Sequence, residues 1–209
     1  MTLETWLAFL VAAILISVSP GAGAVACMAT GMRHGYRLGI WNIFGMQLGI
    51  ALQLAVVGAG LGAVLAASTP AFAVLKWLGV AYLAWLGWRA WRAPAVPVEV
   101  DRAAVPLTTP GALLGQGFLV NATNPKATVF FLAVLPPFID PARALLPQYL
   151  TVVATLTAVD LVVMSGYTLF AAKVLRLMRT PRHIRLMNRV FGGLFIGAAA
   201  LLATFKRAV

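Results

Sequence analysis

Residues 112–138 read ALLGQGFLVNATNPKATVFFLAVLPPF, an apolar run cut near its centre by Asn121-Ala122-Thr123-Asn124-Pro125-Lys126. A helix needs about 20 mostly apolar residues to cross a bilayer, and this run exceeds that. Pro125 removes a helical hydrogen bond and clashes with the preceding turn. Lys126 adds a charge that costs about 2.5–3.5 kcal/mol at a helix centre on insertion scales. A membrane helix keeps such a defect only where other parts of the protein satisfy it. The segment therefore places the chain in a bilayer and marks a site at the same time.

Five more apolar segments lie on either side, at 5–30, 41–66, 72–92, 147–171 and 190–206. In lipid the backbone has no water to bond, so these segments must be helices. We expect an all-α integral membrane protein of six transmembrane helices. The composition agrees: 62% of residues are hydrophobic and 10% charged, against about 45–50% and about 25% in soluble domains. The net charge of +11 does not imply a nucleic-acid partner, because the basic residues fill gaps between apolar runs instead of striping a soluble face. Cys27 is the single cysteine, which excludes an internal disulfide and a cysteine metal cluster. The start, Met1-Thr2-Leu3-Glu4, has no positive charge, and the apolar run continues past Ser19-Pro20-Gly21, so 5–30 reads as a retained helix.

Lysine and arginine in the loops set the orientation. Arg33 and Arg37 lie in the first loop; Arg89, Arg92 and Arg102 lie in the third; Lys173, Arg176, Arg179, Arg182, Arg185 and Arg189 lie in the fifth. The second loop, near 67–71, has none, and the fourth has Arg143 beside Asp140. Odd loops are expected in the cytoplasm and both termini outside, against the weaker pull of Lys206 and Arg207. Trp85, Trp88 and Trp91 accompany Arg89 and Arg92 at the inner interface, with Trp6 and Trp77 at the outer one. Residues 93–110, with four prolines and two acids, read as a cytoplasmic linker between a first three-helix repeat, 1–92, and a second, 111–209.

A shift of 105 positions aligns the halves: Pro20 falls on Pro125 and Gly87 on Gly192. Three helices per half make the repeat inverted, with helices one and four broken. Paired breaks of this kind point to a transporter's binding site near the membrane midplane. The N–H groups freed after each break suit a carboxylate. Candidate pathway residues are Pro20, Gly21, Gly23, Asn121, Asn124, Pro125 and Lys126 at the breaks, with Asp160 and Tyr167, seven residues apart on one helix face. Asn42, Gly45, Gly49 and Gln53 share a small polar face of span two, fit to line a cavity or to pack closely; Gln47 points away from it. Lys126 and Asp160 should face each other, a watery cavity, or both. Lys126 is expected to hold a substrate carboxylate or its counter-charge, and Asp160 to respond to protons. His34 and His183 have no ligating neighbours, and no nucleophile, phosphate-binding or zinc-protease motif is present. No enzymatic activity, metal or cofactor is expected.

Ser19-Pro20-Gly21, His34-Gly35-Tyr36-Arg37, Lys76-Trp77-Leu78-Gly79, Ala81-Tyr82-Leu83 and Asn121 with Thr123-Asn124-Pro125-Lys126 together resemble the lysine-exporter (LysE) superfamily. Within it the chain looks most like the resistance-to-homoserine/threonine branch, and the resemblance runs almost end to end. One departure is visible. The superfamily commonly follows Ser-Pro-Gly with a second proline and an asparagine, whereas Ala22 and Gly23 stand here. The resemblance implies a multi-pass protein of the bacterial inner membrane that exports small amino acids or derivatives such as homoserine, homoserine lactone or threonine by proton antiport. Export of leucine or lysine, or passive channel flux, are the alternatives. The expected partners are that substrate, protons and membrane lipids, and a homo-oligomer is allowed.

Overall fold

The computed structural model describes residues 1–67, 69–96, 108–171, 173–174 and 180–204. Among them every regular element is helical. Helix α1 spans Leu3–Val18, α2 Ala22–Ala67, α3 Thr69–Arg92, α4 Pro110–Ala122, α5 Pro125–Val134, α6 Leu145–Leu169 and α7 Pro181–Thr204. A short 3-10 turn, Pro136–Phe138, follows α5. Helix starts carry their caps. Thr2 accepts from the Thr5 N–H, Thr109 from Ala112 with Pro110 behind it, and Asn124 from Lys126 with Pro125 behind it. Each satisfies a donor that the first turn leaves without an intrahelical partner.

Among the described residues, three helical stretches are long and apolar enough to cross a membrane: Ala22–Ala59, Leu145–Leu169 and Pro181–Thr204. Large apolar side chains cover the outside of the bundle; Val162 is 73% exposed, Leu146 69% and Val56 65%. In water such a surface would aggregate. A bilayer is the solvent in which it is at rest.

The main core joins Phe9 of α1, Leu54 of α2, Leu83 of α3, Phe130 and Phe131 of α5, Leu156 of α6 and Phe195 of α7. Glycine lets the helices approach closely. Gly45 and Gly49 of α2 meet the backbone of α4 at Leu114 and Ala122, and Gly117 of α4 meets Asn42. A side chain at any of these positions would overlap backbone, which cannot give way. Gly87 and Gly192 play the same role between α3 and α7.

Two boundaries differ from the sequence expectation. The charge pattern puts the last span at 190–206 and Arg182, Arg185 and Arg189 in a loop. Helix α7 instead begins at Pro181, and all three arginines stand on it. Long basic side chains can run along a helix and keep their charges at an interface, so they do not force a loop. The first loop reduces to one residue, Gly35, whose φ of 71° and ψ of 177° break α2 internally. That conformation is open to glycine and strained for other residues. Residues 97–107 of the expected linker, with Arg102, lie outside the described residues, as do Arg176, Arg179, Lys206 and Arg207.

Candidate functional site between two helix breaks

α1 stops at Val18 and α2 starts at Ala22; α4 stops at Ala122 and α5 starts at Pro125. Each interruption releases backbone carbonyls. In a bilayer an unsatisfied one costs several kcal/mol, so donors must come from elsewhere. Lys126, in the first turn of α5, reaches across to the end of α1: its Nζ donates to the Ser19 carbonyl at 2.8 Å and to that of Ile16 at 3.4 Å. The side chain passes Gly21, where a Cβ would stand 3.6 Å from Lys126 Cδ. Tyr167 of α6 donates to the Val18 carbonyl at 2.6 Å. At the other break Gln53 Nε2 lies 3.3 Å from the Ala122 and Asn124 carbonyls and 2.7 Å from Thr128 Oγ1. Asn121 Nδ2 donates to the Met46 carbonyl at 3.0 Å and ties α4 to α2.

Between the breaks lies a cavity of about 60 Å³. Ser17, Ser19, Gly21 and Gly23 form one side, and Asn121, Asn124 and Lys126 another. Asp160 enters from α6, and Met46, Phe131, Leu156 and Met164 complete an apolar wall. The Asp160 carboxylate is buried. It accepts from Gln47 Nε2 at 2.7 Å and has the Ser17 hydroxyl beside it. Lys126 and Asp160 thus line one cavity without pairing, the ammonium on carbonyls and the carboxylate on an amide. The one salt bridge among the described residues is Arg143–Asp140, 3.2 Å, at the surface. The first turn of α2 adds N–H groups that its own helix leaves unbonded and the positive end of its dipole. The cavity has room for a few waters and is too small for an amino acid.

A second space, about 590 Å³, lies between α3, α7 and the breaks. It shares Ser19, Gly21, Asn124 and Lys126 with the small cavity. Tyr82, Trp85 and Phe191 form its walls, and Arg89 and Asn188 also line it.

Of the residues expected from sequence, Gly21, Gly23, Asn121, Asn124, Lys126 and Asp160 line the small cavity. Tyr167 holds the end of α1, and Pro20 lines the larger space. Pro125 opens α5. Asn42 stands apart: it is fully buried, with Nδ2 3.8 Å from Cys27 Sγ and its backbone against Gly117. The small polar face of span two is a packing surface for α4, and Gln47, read as pointing elsewhere, is the residue that meets Asp160. A signal for it existed. A carboxylate inside a membrane needs a donor, and Gln47 is a second amide at the right depth. Ser17, also missed, lies three residues before Pro20 on the cavity side.

Residues 14–205 match the model of the LysE type translocator family. A homoserine/homoserine lactone efflux protein of Salmonella typhimurium is 41% identical over 208 residues, covering 100% of both chains. An uncharacterized membrane protein of Vibrio cholerae is 42% identical over 212 residues, 99% of this chain and 100% of the relative. A leucine efflux protein of Klebsiella pneumoniae is 30% identical over 205 residues, 96% of this chain and 95% of the relative. No solved structure matches the chain.

Proposed function

We propose that this chain, which belongs to the LysE type translocator family, exports small amino acids or their derivatives from the bacterial cytoplasm by proton antiport, with homoserine and its lactone as leading substrates. It is a transporter and not an enzyme. The substrate reading rests on the full-length likeness to homoserine/homoserine lactone efflux proteins.

The observation that carries the mechanism is the pair of opposite charges in one cavity, Lys126 at a helix break and Asp160 facing it from α6, without a bond between them. A zwitterion brings a carboxylate for Lys126 and the α2 N-terminus and an ammonium for Asp160. A proton and a substrate ammonium cannot both occupy Asp160, and that exclusion is the coupling an antiporter requires. At about 100 mV each inward proton supplies about 2.3 kcal/mol, enough for roughly a fifty-fold outward gradient.

The architecture we propose is six spans in a multi-pass inner-membrane protein, built as two inverted repeats, 1–92 and 111–209, joined by 93–110. Its support is geometric. Residues 105 apart touch each other twice, Gly21 with Lys126 and Gly87 with Gly192, as equivalent positions do on a two-fold axis. Arg89, Arg92, Arg182 and Arg185 gather at one end of the bundle, where Asn188 of α7 bonds Ala93 beyond α3. Met1 and Trp6 pack near Arg143 and Gln148 at the other. The basic end faces the cytoplasm by charge bias, which puts both termini outside.

Leucine export is the second reading. The apolar wall of Met46, Ile50, Leu156 and Met164 suits an aliphatic side chain, and a leucine efflux protein is among the relatives. Efflux from loaded proteoliposomes, with homoserine, homoserine lactone, threonine, leucine and lysine run in parallel under an imposed pH gradient, separates the readings. Flux indifferent to a protonophore would identify a channel.

A further inference from the structure

The proposed exporter leaves one difficulty: the cavity at Asp160 is too small to admit its cargo. We propose that the vestibule between α3 and α7 is a separate inner docking site for a carboxylate-bearing zwitterion, and that Lys126 is the latch between it and the Asp160 cavity. This rests on the export reading and adds to it a second site, a route and a gating contact.

Three observations support the proposal. The two spaces, about 60 and about 590 Å³, meet at the same four residues, Ser19, Gly21, Asn124 and Lys126. Across that wall Lys126 ties α5 to the end of α1, through Nζ on the Ser19 and Ile16 carbonyls, while Tyr167 holds Val18 to α6. Those partners are neutral. A carboxylate arriving from the vestibule forms a stronger charge-assisted bond to the same ammonium, so docking takes Lys126 off the end of α1. Ser19 and Ile16 lose their donor, α1 is freed from α5, and the wall opens.

The vestibule is built for the rest of the molecule. Trp85 and Phe191 offer apolar surface to a side chain or a lactone ring. Arg89, held over the Trp85 ring at 5.3 Å, adds positive charge that draws a carboxylate inward. Tyr82 ties the vestibule wall to the latch residue, its hydroxyl donating to the Lys126 carbonyl at 3.5 Å. A lactone, which has no free carboxylate, docks there without drawing Lys126 away, and it passes only when the latch opens on its own.

The test is thiol accessibility of the inner cavity in proteoliposomes or detergent. Ala24, buried and lining the small cavity, is replaced in A24C on a C27A background, and its reaction with a small methanethiosulfonate reagent is timed. The expected result is slow labelling at rest. Millimolar homoserine should accelerate it about tenfold, the effect of removing one charged hydrogen bond, while homoserine lactone should leave it nearly unchanged. Lys126→Met should label fast with no ligand present, and Lys126→Arg should label slowly. Equal rates with and without homoserine, in protein that still exports it, would overturn the latch, as would slow labelling of Lys126→Met. If Lys126→Met does not accumulate, the homoserine and lactone arms decide. If homoserine is not exported at all, the substrate assignment fails. The latch then stands or falls on the ligand-free rates of the Lys126 variants.

Discussion

Lys126 and Asp160 sit in one cavity, yet each has its own partners. This separates a transport role from a structural ion pair. A structural pair would be rescued by removing both charges, since each single change strands the other. Here Lys126→Ala strands only carbonyl groups and Asp160→Asn keeps an acceptor for Gln47. We predict that the double variant is at least as impaired in export as the worse single one; restored efflux would refute this. Lys126→Ala should reduce homoserine export about ten- to a hundred-fold, the worth of a hydrogen bond to a charged group, and lactone export far less, since a lactone has no free carboxylate. Initial rates for both substrates check it. Gln47→Leu leaves the buried Asp160 short of its donor and should lower stability by about 1–3 kcal/mol, read as thermal unfolding in detergent. At this scale sequence located the two charges, because charges inside apolar runs stand out. It did not locate the partners of the charges. A helical wheel says which residues share a face, and not which neighbour that face meets. From sequence Asn42 reads as lining a cavity or packing on another helix and Gln47 as pointing elsewhere; the fold packs Asn42 against Gly117 and bonds Gln47 to Asp160.

The elements carry two kinds of glycine. Gly45 and Gly117 have backbone of the facing helix where a Cβ would go, whereas Gly197 has nothing within 4 Å. Gly45→Val and Gly117→Val should separate α2 from α4 and cost more than the usual 1–3 kcal/mol of overpacking, about 3 kcal/mol or more, because the obstacle is backbone. Gly197→Ala should be neutral. Yield and melting temperature distinguish the two outcomes. Gly35→Ala places a side chain at φ 71° and ψ 177° and should destabilise by about 1–3 kcal/mol. The helix interruptions at 19–21 and 123–124 were legible because proline has no N–H to give the helix, so a proline deep in a long apolar run kinks or breaks it. The start of α7 was not. An arginine every three or four residues looks like a loop to a charge count, but at a membrane surface it is also what one face of a helix looks like.

At the scale of the whole molecule, the topology and the direction of transport stand together. Single cysteines at Arg185, exposed near the start of α7, and at Thr2, on a C27A background, should label from opposite sides of the membrane. Thr2 should react from outside with an impermeant thiol reagent and Arg185 only after permeabilisation. The reverse pattern would invert the vestibule and turn the proposed inner docking site into an outer one. The family and the apolar surface of the chain were legible from motif order and composition. The cavity between the breaks was not, since its shape depends on how close α1 comes to α5, a distance set by Gly21, Ser19 and the reach of Lys126. In the proposed mechanism Asp160 is the link between proton and cargo. The most direct measurement is efflux of labelled homoserine from proteoliposomes holding the parent protein or Asp160→Asn, with and without an imposed pH gradient, alongside homoserine counterflow at equal pH. Coupling through Asp160 predicts that the gradient accelerates efflux only in the parent, and that Asp160→Asn loses this response while keeping part of its counterflow. Gradient-driven efflux from Asp160→Asn at the parent rate would contradict it.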